Sequence, residues 1–140
     1  MALLCIDASL VVAWLVPSER SDLVADTWRA YAHGEDEFVS PSLLYAETLS
    51  VIRRLASRGA LSTGEAAEIV DEFLALSIPT PSPPGLYWRA YQLATRYGQP
   101  RVYDSCYLAL AESLSCPLLT LDQRLHNAVG GDLPWVRLVR

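Results

Sequence analysis

The sequence predicts an α/β fold, a short central parallel β-sheet flanked by helices on both faces. Short apolar runs of strand length alternate with longer stretches whose apolar residues recur at helical spacing. The runs are continuously apolar rather than alternating, as strands covered on both faces are. Two of them, Leu3–Ile6 and Pro117–Leu121, end at Asp7 and Asp122. Those positions are the carboxyl ends of strands, where open parallel sheets bind ligands.

The elements follow in order. Leu3–Ile6 reads as a buried strand, and Ser9–Val16 as a short helical turn ended by Pro17. Ser21–Tyr31 is helical, with Leu23, Val24, Trp28 and Tyr31 on its apolar side. Glu37–Ser40 is a short strand. Ser42–Arg58 is the clearest helix: Leu43, Leu44, Ala46, Leu49, Val51, Ile52 and Leu55 recur at helical spacing, and Gly59 follows as a stop. Thr63–Leu76 is a helix with Thr63-Gly64-Glu65-Ala66 as its start signal. The proline-rich stretch Ile78–Pro84 reads as the end of a short strand and the entry to another helix. Leu86–Tyr97 and Arg101–Leu114 are helices parted by Gly98-Gln99-Pro100. Pro117–Leu121 is the second good strand, Leu125–Val129 a short helix, Gly130-Gly131 a turn and Val136–Leu138 a last strand.

At 140 residues, 51% hydrophobic and 19% charged, the chain fits one domain over residues 1–140 with a sizeable core. No apolar run reaches the roughly 18 residues that span a membrane. The start, Met1 to Ile6, lacks a positive flank and is interrupted by Asp7, so no signal peptide is expected. Cys5, Cys106 and Cys116 are odd in number and unpaired in spacing, which fits free thiols and a cytoplasmic location.

The net charge of −5 argues against a broad basic binding face. If four carboxylates form one cation site, the remainder carries −5 + 4 = −1, so the acidity does not exclude an anionic substrate. All 11 basic residues are arginine. Without lysine there is no P-loop, no Schiff-base amine, and no lysine partner for a phosphorylated or haloacid-dehalogenase-type aspartate. GxGxxG, HExxH and CxxC are absent, and His33 and His126 lie far apart.

Four acids stand out. Asp7 and Asp122 at strand ends serve equally as helix caps or as ligands. Glu47 has Leu43, Leu44 and Val51 as helical neighbours, so its charge sits beside the buried stripe and needs a cation, a hydrogen bond or a proton. Asp104 opens a helix, where the dipole favours a negative charge whatever its task. Asp22, Asp26, Glu65, Glu68, Asp71 and Glu72 lie on ordinary solvated faces.

Together these acids stand in a specific order. Ile6-Asp7-Ala8-Ser9 with Trp14, then Pro41–Glu47, then Tyr103–Ala111, then Leu119–Leu125 span nearly the whole chain. In that order and spacing the chain resembles the PIN-domain nuclease family, in particular the VapC-type toxins of bacterial toxin–antitoxin pairs. Ser105-Cys106 stands where the family is commonly alanine-rich, and Thr48 where it often has asparagine. The resemblance implies a PIN-like fold and a metal-dependent endoribonuclease that leaves 5′-phosphate and 3′-hydroxyl ends. Asp7, Asp104 and Asp122 would hold Mg²⁺, with Mn²⁺ able to substitute. Glu47 would hold a second cation or orient the attacking water. Ser9 and Thr120 would either steady these ligands or cap the backbone.

Arg53, Arg54, Arg58, Arg101 and Arg124 are candidates for RNA phosphates or for an ion-paired surface. Expected partners are an RNA substrate, a cognate antitoxin protein and a second copy in a homodimer, with no membrane. The competing readings are a DNA-processing nuclease of related fold, a PIN-like nuclease or RNA-binding module outside a toxin–antitoxin pair, and a metal-free enzyme using His33 and His126.

Overall fold

The computed structural model describes residues 1–140. In chain order the elements are β1 (Ala2–Ile6), α1 (Ala8–Leu15), α2 (Ser21–Ala32), β2 (Asp36–Val39), α3 (Leu43–Ser57), α4 (Thr63–Ala75), α5 (Leu86–Arg96), α6 (Tyr103–Leu114), β3 (Leu118–Thr120), α7 (Gln123–Val129) and β4 (Val136–Leu138). The four strands form one sheet in the order β2-β1-β3-β4, and every pairing is parallel.

Helices cover both faces of that sheet. Successive strand side chains point to opposite faces, yet Leu4, Cys5 and Ile6 are all buried, as are Leu118, Leu119 and Thr120. The helix nearest the centre is α6. Seven consecutive residues, Ser105–Ala111, are buried, the signature of a helix enclosed all round. Its Tyr107, Leu108 and Leu110 join Ile6, Leu10, Phe38 and Leu118 in one core cluster. Fully burying a leucine of this kind contributes roughly 1.5–3 kcal/mol. The three cysteines are buried and free, as expected. No helix is long and apolar enough to cross a membrane.

Several boundaries differ from the sequence reading. The cap of α4 is Ser62, not Thr63: Ser62 Oγ accepts from the Glu65 amide while the Glu65 carboxylate accepts from the Ser62 amide. The chain around Ile78 is no strand. The prolines that follow cannot donate to a ladder, so the segment joins the body through its carbonyls. Pro79 accepts from the Ser40 amide at 3.1 Å, and Ile78 from the Tyr45 hydroxyl at 3.0 Å. Helices α6 and α7 begin at Tyr103 and Gln123 rather than Arg101 and Leu125.

The strand order fixes where a ligand can sit. From β1 the chain crosses to β2 on one side, and later returns to β3 on the other. The crevice beyond the carboxyl ends of β1 and β3 is therefore the topological switch point of the sheet. Ser40 Oγ donates to the Ile6 carbonyl at 2.8 Å and holds the end of β1 at that crevice.

Candidate active site

Asp7 is the N-cap of α1, with extended backbone at φ −106° and ψ 177°. Its Oδ1 accepts from the Ser9 amide at 3.0 Å, the Leu10 amide at 3.3 Å and the Ser9 hydroxyl; its Oδ2 accepts from the Thr120 hydroxyl. The two hydroxyls also reach the other strand end. Ser9 Oγ accepts from the Leu121 amide, and Thr120 Oγ1 from the Asp122 amide, both at 3.0 Å. A closed network therefore ties the ends of β1 and β3 together. Each hydroxyl accepts from a backbone amide and donates to the Asp7 carboxylate. Asp7 Oδ2 has one protein partner, so it keeps acceptor capacity toward the crevice.

Asp122 caps α7, accepting from the Leu125 amide at 3.1 Å. Asp104 lies in the first turn of α6, exposed at the mouth of the crevice. Glu47 projects from the middle of α3, and its Oε1 is buried without a hydrogen-bond partner. All four acids line one cleft of about 440 Å³, as the sequence anticipated. The rest of its lining is largely apolar: Val12 and Ala13 of α1, Val16 at its C-cap, and Val51 and Leu55 of α3.

Like charges crowd this cleft without an ion pair. The ion pairs of the chain are Arg29–Asp26, Arg89–Glu112 and Arg96–Asp132, and none involves a cleft acid. Burial pushes Asp7 up from the ordinary carboxylate value, against the four hydrogen bonds that draw it down. Burial, then the charges of Asp104 and Asp7, raise Glu47, while the nearby Tyr107 hydroxyl opposes the rise. Loss of hydration and repulsion from Asp122 raise Asp104, and Arg124 partly offsets them.

Such a group of like charges fits a hard divalent cation on the chemistry of its donors. Its charged donors are all carboxylates, among them the orphaned Glu47 oxygen. The acids do not close into a cage, since no three His, Cys, Asp or Glu side chains stand as a ready ligand set. An ion that keeps several waters and takes one or two carboxylates needs no such cage.

Two cleft residues escaped the sequence reading. Arg20 lines the cleft, and its Nη2 donates to the Leu121 carbonyl at 3.0 Å. Nothing in its spacing foretells a return across a hundred residues. Tyr107 resembles core in sequence and is buried, yet its hydroxyl reaches the cleft near Glu47 without closing an ordinary hydrogen bond. Burial, with Glu47 and Asp7 close by, holds its phenol far above its usual range, so it stays a neutral donor.

The arginines divide. Arg54, Arg101 and Arg124 line a second cleft that also contains Glu47 and Asp104. Arg53 turns away to a shallow groove with Arg54 and Ser57, and Arg58 at the end of α3 lines none of these. His33 and His126 are outside both clefts. The buried hydroxyl of Thr48 has no partner, and nothing in the structure accounts for it.

Comparison with known proteins gives a consistent result. Residues 4–131 match the PIN domain family. The chain is 34% identical over 126 residues to ribonuclease VapC3 of Pyrobaculum aerophilum, covering 87% of this chain and 91% of that protein. It is 30% identical over 128 residues to ribonuclease VapC12 of Mycobacterium tuberculosis, covering 91% and 93%. Among solved structures, PAE2754 of Pyrobaculum aerophilum superposes with a TM-score of 0.67 at 22% identity, over 93% of this chain and 88% of that one. VapC20 of Mycobacterium tuberculosis, described as a sarcin–ricin-loop-cleaving toxin, gives 0.64 at 14% identity, over 90% and 95%. At those identities the two structures speak for the fold.

Proposed function

The chain belongs to the PIN-domain family, and from that premise we propose that it is a metal-dependent endoribonuclease, the toxin of a toxin–antitoxin pair. One observation carries the reading: four carboxylates from two strand ends and two helices line a single cleft, and none of them is held in an ion pair. Asp7, Asp104 and Asp122 would hold Mg²⁺ or Mn²⁺. When bound, the cation supplies charge neutralisation at the phosphoryl oxygens and an acidified water.

The chain's own groups supply orientation and proton handling. Ser9 and Thr120 keep Asp7 in one rotamer. Glu47, raised by burial and by its acidic neighbours, has a free oxygen with which to accept a proton from the attacking water. Tyr107, kept neutral, would orient that carboxylate. Arg20, fixed by the Leu121 carbonyl, places a positive charge on the cleft wall to receive the substrate phosphate. The products would carry 5′-phosphate and 3′-hydroxyl ends.

The test joins purified protein with living cells. The chain should cleave RNA in Mg²⁺ or Mn²⁺ and lose that activity in EDTA. Its induction in bacteria should arrest growth, co-expression of a small cognate antitoxin should restore it, and Asp104→Asn should grow normally. Full cleavage in EDTA would remove the metal mechanism, and arrest by both wild type and variant would remove the nuclease as its cause.

A homodimer is part of the same proposal. Tyr87, Trp88 and Tyr91 of α5 are more than half exposed, and Trp88 stacks on Tyr91 at 5.7 Å, an apolar face that a second copy would cover. Light scattering at micromolar concentration is expected to give twice the chain mass; the single-chain mass would refute the dimer.

A further inference from the structure

We infer that the second cleft, beside the carboxylates, is a subsite for a neighbouring nucleotide of a single-stranded RNA, whose base stacks on Tyr103. The inference rests on the nuclease reading of the first cleft and adds to it where the strand runs. The second cleft measures about 850 Å³, within the range of small-molecule sites. It shares Glu47, Val51 and Asp104 with the first, so a strand whose phosphate lay among the acids would continue directly into it.

Its chemistry suits one nucleotide unit. Arg54 comes from α3, Arg101 from the loop before α6 and Arg124 from α7, three separate elements converging on one cleft. None is engaged in an ion pair, and all are exposed. In a chain of net charge −5, three guanidinium groups against Glu47 and Asp104 leave this cleft at +3 − 2 = +1, a local reversal of sign. That reversal draws a polyanion past acids that would otherwise repel it. Tyr103 adjoins Asp104 and is 52% exposed, so its ring offers a face at the cleft wall. A solvated aromatic ring among free arginines is the combination that binds unpaired bases and their phosphates.

The wall is also built in advance. Gln99 lines the cleft, and its Oε1 accepts from the hydroxyl of the fully buried Ser105 at 3.1 Å, which anchors the loop leading to Tyr103. This contact gives a role to Ser105, where the family's common residue would offer no hydroxyl.

The test is equilibrium binding of a fluorescent single-stranded oligoribonucleotide to the full chain in EDTA, beside a strand of equal length made wholly of abasic residues. Tyr103→Ala should weaken binding of the base-bearing strand about tenfold, the effect of losing one base–aromatic stack. It should leave the abasic strand's affinity unchanged. Tyr103→Phe should keep wild-type affinity within about twofold, since the ring face remains. Arg101→Gln should weaken both strands and lower the salt slope by about 0.7, one phosphate's share.

Unchanged affinity of Tyr103→Ala for the base-bearing strand, or equal loss on both strands, would overturn the stacking site. So would failure of the wild type to bind the base-bearing strand at all, which would point to a protein segment as the occupant. The nuclease reading is tested separately by Mg²⁺-dependent cleavage. Base-selective binding that depends on Tyr103, in a chain that never cleaves, would keep the subsite and discard the enzyme.

Discussion

Asp104→Asn and Asp7→Asn are each expected to cut RNA cleavage by roughly a hundredfold to a thousandfold, the range seen when one charge-stabilising group leaves a transition state. A hundredfold corresponds to about 2.7 kcal/mol of barrier. The two variants should differ in stability. Asp104 is exposed in the first turn of α6, so its amide should keep the fold, and in chelator it should if anything gain stability by removing one repelling charge. Asp7 is embedded in a network. In the Asp7→Asn variant the amide oxygen can still accept from the Ser9 and Leu10 amides, but the amide nitrogen becomes a donor facing Thr120 Oγ1. That hydroxyl already accepts from the Asp122 amide, and its proton would lose its acceptor. Asp7→Asn therefore exchanges a buried charge for a mismatched hydrogen bond and loosens the join between β1 and β3. Initial rates at saturating Mn²⁺, Mn²⁺ titration calorimetry and circular dichroism would separate these effects. Wild-type turnover in either variant would remove that residue from the site.

Much of this site could be read before any coordinates. Asp7 and Asp122 were legible because a buried parallel strand is a short apolar run, and its end at an acid marks the ligand edge of the sheet. Glu47 was legible because a charge beside Leu43, Leu44 and Val51 requires a partner. The arginines were legible only in part. Arg54 is seven residues beyond Glu47, two helical turns along the same face, whereas Arg53 is rotated about 100° away. Arg58 recovers the face but stands roughly 16 Å further along the axis, out of reach of the acids.

Contacts made through the backbone were the least legible. Arg20 is held by the carbonyl of Leu121, and the backbone at Ile78 and Pro79 is tied to the body through carbonyls. Any residue presents a carbonyl, so side-chain identity does not encode which one is used. Ser62 and Thr63 are equally good caps by type. The reciprocal contact with Glu65 decides between them, and it needs the three-residue spacing that Ser62 alone provides.

In a buffer with chelator, the protein should lose stability as pH rises from about 4 to neutrality, and a divalent cation should restore it. The sign follows from Asp7, Glu47 and Asp104, all raised above their ordinary values of 3.8, 4.5 and 3.8. For a carboxyl raised in the folded state, its contribution to stability is fully present below the unfolded value. It is lost as pH climbs through the higher folded value, because the folded chain must then hold a charge that the unfolded chain holds more readily. Glu112, drawn down by Arg89, acts in the opposite sense. That pair is partly exposed and contributes little. Two differences isolate the cleft from such surface groups. Glu47→Gln removes one of the repelling charges at nearly constant volume and should raise Tm in chelator at pH 7.5 by about 2–5 °C, the response to roughly 1 kcal/mol in a chain of this length. The gain should shrink as pH falls through and below 4.5, the ordinary glutamate value, where Glu47 takes up its proton in both states. Mn²⁺ at a hundred times its Kd should raise the wild-type Tm at pH 7.5 on the order of 5–10 °C, since binding to the folded state alone is worth about 2.7 kcal/mol at that ratio. The same addition should do progressively less as pH falls, because protons compete with the cation for the carboxylate oxygens. Differential scanning fluorimetry across pH, with and without Mn²⁺, reads both differences at once. A wild-type Tm at pH 7.5 that is unmoved by Mn²⁺, together with a Glu47→Gln variant no more stable than wild type in chelator, would show that the four acids neither strain the fold nor hold a cation.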